Sequence, residues 1–176
     1  MLPDPLHPAI VHFPIVLLLL GAPLALASLF LRKWHLPLLT AAVLTLGAAG
    51  AMVATWTGEE EAEVAGELSG GGENTLDAHE EWGERARNAG LVAAVLAIIS
   101  AALGRRPVAG RALGAAAALA AVAAAFSVAQ AGHYGGEVVY KHGVGVNVSA
   151  GSSLGAAPGE ALPDQRKTQK KDDDDD

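Results

Sequence analysis

No cysteine occurs anywhere in the 176 residues. That absence excludes disulfides, zinc-thiolate sites, thiolate-held iron-sulfur clusters and c-type haem attachment through C-x-x-C-H. Any metal or haem has to be held by histidine, carboxylate, methionine or tyrosine. Long basic runs are missing too, and with a net charge of -7 the chain lacks the footprint of a nucleic-acid binder, so no DNA or RNA partner is expected. Recognisable catalytic signatures are absent as well. There is no G-x-x-x-x-G-K-[ST] loop, "HEEWGER" (His79 to Arg85) lacks the second histidine of H-E-x-x-H, and "GHYGGEVVYKHG" is not a G-x-G-x-x-G after a strand. The apolar segments hold no Asp, Glu, Lys or Arg in their centres and show no inverted repeat with matching broken helices, which argues against a pump or transporter.

What is present is alanine, leucine, valine and glycine, with the charge confined to a few stretches. That is the composition of a membrane protein. Four apolar segments predict an all-α, four-transmembrane-helix bundle, with helices over about 9–31, 36–57, 80–103 and 112–132. The first two reach the roughly 20 residues that cross a hydrocarbon core of ~30 Å. The third is short unless it extends backwards through "LDAHEEWGERAR", and the fourth is mostly alanine. The first is not read as a cleaved signal peptide, because it lacks a basic n-region and contains Pro14 and Pro23.

Loop charges set the orientation. Arg32 and Lys33 follow the first segment, and Arg105, Arg106 and Arg111 precede the fourth, so both connections are expected in the cytoplasm. The stretch from Gly58 to Arg87, read as a loop, carries ten acidic residues and is expected outside with both termini: N-out, C-out. Trp34 then marks the inner interface, and Trp56, Trp82, Tyr134 and Tyr140 the outer one. The bundle spans 1–146; residues 147–176, ending in "DQRKTQKKDDDDD", lack apolar periodicity and are expected to be a disordered acidic tail.

Five of the six histidines fall on the outer side: His7, His12, His79, His133 and His142, with His35 inside. Leu76, His79, Gly83, Ala86 and Gly90 recur at helical steps, which aims His79 at the bundle. His12 shares a face with Ile15, Val16 and Leu19 and is the histidine expected deepest in the membrane. Gly135 and Gly136 are read as a turn that returns the chain, and His142, over the bundle mouth. An unpartnered imidazole in hydrocarbon costs several kcal/mol, which motivates a ligand. A haem iron takes an imidazole from each side, four-helix bundles build such sites, and Arg85 and Arg87 are placed to meet the propionates. Each feature also has a plainer reading: small residues let helices pack closely, interfacial histidines anchor, and an acidic loop is solvated surface.

The stretches "LHPAIVHFPIVLLLLG" (Leu6 to Gly21), "HE" (His79, Glu80) and "GHYGGEVVYKHGVGV" (Gly132 to Val146) together resemble the bacterial four-helix membrane family catalogued as domain of unknown function 2231. The resemblance spans about Leu6 to Val146 and carries the family's histidines onto His7, His12, His79, His133 and His142. It implies the bacterial cytoplasmic (inner) membrane. Members resembling this chain occur joined to, or encoded beside, c-type cytochrome or Rieske domains, which implies a place in membrane electron transfer.

Three functional readings follow. The first is a b-type cytochrome with one or two haems held by pairs from His12, His79, His133 and His142, with His7 as ligand or support, relaying electrons between quinol and a periplasmic cytochrome or Rieske partner. The second is a cofactor-free scaffold or accessory subunit whose histidines hydrogen-bond across helix ends. The third fills the same histidines with a single copper, iron or zinc ion. Beyond lipid, the Ala/Gly-rich fourth segment invites a homo-oligomer.

Overall fold

The computed structural model describes residues 6–31, 35–65, 72–103 and 107–143. Those residues are helical almost throughout: α1 (His7–Ile10), α2 (His12–Phe30), α3 (Leu36–Ala65), α4 (Gly72–Ala102) and α5 (Pro107–His142). α1 and α2 form one apolar span broken only at Val11, so four helices are long and apolar enough to cross a membrane. α2 packs on α3, α3 on α4, α4 on α5, and α5 closes back on α2. The start of α1, the end of α3, the start of α4 and the end of α5 meet at one end of this square, here called the head.

Helix ends differ from the sequence expectation, most of all at three places, and α5 also starts at Pro107 rather than near residue 112. α3 continues past Thr57 to Ala65, and α4 begins at Gly72 rather than near residue 80, so most of the stretch read as a loop from Gly58 to Arg87 is helix. Hydropathy stops where hydrocarbon stops, but the helical hydrogen-bond ladder does not, and glutamate is a good helix former. The third correction is at Gly135 and Gly136, where no turn forms and α5 runs on to His142. Two helical glycines cost roughly 1 kcal/mol each against alanine. Packing on α4 and the Glu137–Lys141 ion pair at 2.6 Å offset that cost, and the helix ends at Gly143, where φ is +68°. Arg32, Lys33, Trp34, Arg105, Arg106 and the tail 147–176 lie outside the described residues.

The core is made of small residues. Alanines of all four long helices fill it, and among the described residues only Leu18 and Leu44 are large and wholly buried. Large apolar side chains such as Val16, Leu20, Leu46, Val95, Ile98 and Leu119 point outward, the reverse of a water-soluble bundle and the arrangement lipid requires. Each buried leucine sits over glycine: a Cβ added to Gly47 or Gly90 would come within 3.1 Å of Leu18 Cδ2, and one added to Gly21 within 2.5 Å of Leu44 Cδ2.

The two hairpins, α2–α3 and α4–α5, repeat one pattern. The buried positions Pro14, Leu18, Gly21, Ala22, Ala25 and Ser28 of α2 correspond, at one constant offset, to Ala86, Gly90, Ala93, Ala94, Ala97 and Ser100 of α4. In α3 and α5, Thr40, Ala41, Leu44, Gly47 and Ala51 correspond in the same way to Ala117, Ala118, Ala121, Ala124 and Val128, all buried. The hairpins run in the same direction, so the pseudo-two-fold axis lies along the bundle, between the diagonal pair α2 and α4. Leu18 meets its own counterpart Gly90 across it. At the end opposite the head, each hairpin is tied by a hydroxyl: Thr40 to the Leu24 carbonyl at 3.3 Å, and Ser100 to the Gly110 carbonyl at 2.6 Å.

Leucine over glycine gives a test by volume exchange. Leu44→Ala should cost about 2 kcal/mol or more, and Gly21→Ala should destabilise the wild type by overpacking. In the Leu44→Ala background, Gly21→Ala should be neutral or stabilising. Thermal melts of the four proteins in detergent check this, with lipid-facing Val95→Ala as an unaffected control.

Candidate functional site

Carbonyl oxygens only accept hydrogen bonds, and this fixes two imidazoles at the head. His7 Nδ1 lies 2.8 Å from the Ala54 carbonyl of α3, and His79 Nδ1 lies 2.8 Å from the Ala131 carbonyl of α5. Each Nδ1 therefore donates its proton, and in the neutral ring each Nε2 carries a lone pair. His7 is held further by its backbone N–H, which donates to Glu61 Oε1 at 2.7 Å, and by Thr57 Oγ1, which accepts from Nδ1 at 3.4 Å. The rings face each other across the bundle axis, edge to face, with centroids 6.2 Å apart and planes at 87°.

The second hairpin repeats the seat of the first. Ala54 is followed by Gly58 and Ala131 by Gly135, one helical turn on, and these glycines make room for the rings. A Cβ at Gly58 would come within 3.0 Å of His7 Cε1, and one at Gly135 within 2.9 Å of His79 Cε1. The sequence signal was "ATWTG" and "AGHYG", an A-x-x-x-G seat occurring twice. Gly58, Gly135 and the two alanine carbonyls were not singled out from sequence.

Among the described residues, neither Nε2 of this pair has a hydrogen-bond partner, and every fully buried side-chain nitrogen or oxygen has one. The two Nε2 atoms are therefore not fully buried. This pairing of a carbonyl on Nδ1 with an open Nε2 is the usual outer support of a metal-binding histidine.

The remaining residues expected at the site are elsewhere. His79 does face inward, as its helical spacing requires, but His12 is exposed, on the lipid-facing stripe with Val16 and Leu19. Its Nδ1 donates to the Pro8 carbonyl of α1, in the same span, at 2.8 Å, which satisfies the ring without a partner across the bundle. That corrects its expected place on the site's wall. His133 is exposed, with Nε2 3.5 Å from Glu137 Oε1 and its ring against Tyr134. His142, carried up by the straight α5, places Nε2 3.4 Å from Thr75 Oγ1 of α4. Arg85 pairs with Glu81 and lies 4.5 Å over the Trp82 ring. Arg87 bonds Glu84 at 3.2 Å and reaches Thr55 of α3 at 3.3 Å.

These positions test the fit of a haem. His7 and His79 are the two imidazoles whose rings meet across the bundle, edge to face rather than as two ligands on opposite sides of a flat ring. Gly58 and Gly135 stand so close to the rings that even a methyl group crowds them. His12 and His133 lie on the outer surface, and both arginines already have carboxylate partners. The residues present do not form a slot for a macrocycle, and no step is derived through one. Among the described residues there is also no group of three or more His, Asp or Glu arranged around one ion.

Fold and head together define a four-span membrane protein with an axial imidazole pair. The family model described as predicted membrane protein (DUF2231) matches residues 3–148, and the chain belongs to that family. No curated protein and no solved structure matches it.

Asparagine separates the two ends of each ring, since its side-chain N–H can replace Nδ1–H but nothing in it replaces Nε2. His7→Ala and His79→Ala should each lose about 1–3 kcal/mol, because an alanine leaves a carbonyl or a pocket unfilled. His7→Asn and His79→Asn should recover most of that loss, and His133→Ala should be silent. Melting in detergent reads all five.

Proposed function

We propose that this chain is a membrane-embedded accessory subunit of the bacterial inner membrane whose working part is the extracytoplasmic mouth of the bundle, a paired-imidazole binding centre in an acidic rim. The single observation that carries the reading is the His7–His79 pair: both Nδ1 atoms are committed to backbone carbonyls, and among the described residues neither Nε2 has a hydrogen-bond partner. Orientation is supported by charge. Glu59, Glu60, Glu61, Glu73, Asp77, Glu80, Glu81 and Glu84 cluster at the head, while Arg111 lies at the other end, and the sequence adds Arg32 and Lys33 after the first span and Arg105 and Arg106 before the fourth. Exposed Trp56 and Tyr140 on the head half of the bundle fit an interfacial belt there.

Electron relay from quinol to a periplasmic cytochrome or Rieske partner is the use the family resemblance implies for such a centre. The head's acidic rim supports docking of a cationic partner by long-range attraction. The cross-helix bonds of His7 and His79 also support the purely structural part of the role, because they tie α1 to α3 and α4 to α5.

Two measurements test this reading. Single cysteines at Glu60 and Arg111 in whole cells should react oppositely with an impermeant maleimide: Glu60→Cys labelled from outside, Arg111→Cys only after permeabilisation. The reverse pattern overturns the orientation. A reduced-minus-oxidised visible spectrum of protein expressed with haem supply should show no Soret band; a Soret with sharp α and β bands that vanishes in His7→Asn or His79→Asn would overturn the geometric exclusion of haem.

A further inference from the structure

We propose that two copies of this chain associate side by side in the membrane through the head half of α4, each copy's Arg85 pairing with Glu81 of the other and the two Asn88 amides meeting on the two-fold axis between them. The inference is independent of what the mouth binds.

Depth comes first. α2 and α4 run in the same direction, and equivalent residues touch at two levels: His7 meets His79 with ring centroids 6.2 Å apart, and Leu18 lies against Gly90. Equivalent positions of the two helices therefore sit at equal depth. Glu81, Glu84, Arg85 and Asn88 of α4 stand level with Ala9, His12, Phe13 and Val16 of the first span. α3 and α5 present apolar surface in the same layer, because Arg87 reaches Thr55, less than a turn from Met52, and Trp82 packs edge to face on Phe126. On those three sides Phe13, Val16, Met52 and Phe126 are each more than half exposed, as residues against lipid are. On the α4 side the exposed residues of that layer are two carboxylates, a guanidinium and an amide. The strip from Glu81 to Asn88 extends over roughly 10 Å of helix. Ionised groups within a membrane span face protein or water rather than lipid tails, so hydrocarbon is not what covers this face.

The strip's own charges select the partner. Glu81 and Glu84 are matched by Arg85 and Arg87, so it has no net charge and offers little to a partner of a single sign. It is complementary to itself. Two copies inserted in one membrane have parallel α4 helices, and a two-fold axis between them brings each residue level with its own twin and makes every other contact occur twice. Arg85 then lies one turn from Glu81 of the other copy, the same offset that joins the two residues within a chain. The guanidinium is already positioned, 4.5 Å over the Trp82 ring, and Trp82 is braced by Phe126 at a centroid distance of 5.7 Å. Asn88 suits the axis itself, since an amide both donates and accepts. Its Oδ1 accepts from Arg87 Nε at 3.2 Å, which leaves the amide N–H groups to donate to the second lone pair of the twin's Oδ1. A single asparagine between two helices also fixes their register and number. The two α4 helices cross at this strip and splay below it, so the apolar residues further down α4 stay in lipid.

The test uses the full chain in liposomes of bacterial phospholipid. The sequence has no cysteine, so Asn88→Cys supplies the only thiol. Because a disulfide needs close approach of the two Cα atoms, mild oxidation should link this variant into dimers at least about tenfold faster than Val16→Cys, Met52→Cys or Phe126→Cys, which lie in the same layer on the other three sides. Arg85→Glu and Glu81→Arg should each be monomeric where the wild type is dimeric, weakened about tenfold or more by like charges facing each other. Co-expressed with different tags, these two variants should pair with each other, each supplying the charge the other lacks. The Glu81–Arg85 pair within each chain stays broken in that mixture, so only a contact between chains restores the dimer, and circular dichroism checks that both variants remain helical. A wild type that stays monomeric as the protein-to-lipid ratio is raised overturns the proposal, whether water, lipid headgroups or the chain's own residues 147–176 then cover the strip. So does a cross-link that forms as fast on another face, or a failure of the two charge variants to pair.

Discussion

In hydrocarbon nothing drives one apolar helix onto another except how closely their backbones can approach, because lipid tails solvate leucine as well as another helix does. The whole molecule depends on that constraint. Alanine and glycine line the facing stripes of all four spans, and the two large side chains inside, Leu18 and Leu44, are accommodated only where glycine removes the Cβ opposite. Close approach also fixes register. Once Leu18 is seated over Gly47 and Gly90, the helices cannot slide, and the Ala54 and Ala131 carbonyls arrive within 2.8 Å of the histidine rings at the head.

The repeat adds a second constraint. Residues near a two-fold axis meet their own counterparts, and two bulky groups cannot share that place. At the Leu18 level the halves differ, leucine against glycine, and the core fills without a clash. At the head they are alike, histidine against histidine, each on an equivalent carbonyl and each beside an equivalent glycine. Other histidines have no such twin: the position in α4 that corresponds to His12 is Glu84, and the one in α3 that corresponds to His133 is Trp56.

Much of this was legible in the sequence, and the failures have physical causes. Four spans follow from the length of the apolar runs, and the inward aim of His79 from its spacing with Ala86 and Gly90. The helix ends did not follow, because hydropathy reports the solvent around a helix rather than its backbone bonds; hence Glu59 to Glu61 read as loop. Gly135 and Gly136 carry the composition of a turn, yet a helix wall alongside keeps them helical. His12 was misplaced because an apolar stripe in a membrane protein faces lipid as readily as core. The His7 seat was hidden because its two supports are backbone carbonyls, which no side-chain letter announces, and because the shared A-x-x-x-G is too short to stand out from an alanine-rich chain.

The imidazole chemistry separates a latch from a binding centre. A latch between helix ends needs one donor, and Nδ1–H supplies it for His7, His79 and even the outward-facing His12. The far nitrogens of His133 and His142 are turned to Glu137 and to Thr75. Only in the axial pair are a ring on a fixed tautomer, an Nε2 left open and a second such ring across a 6.2 Å centroid separation found together. Hydrogen bonding to the helices accounts for one nitrogen of each ring. Among the described residues the other nitrogen of each ring has no hydrogen-bond partner, and that separates these two rings from His133 and His142, whose Nε2 atoms are turned to a neighbouring side chain.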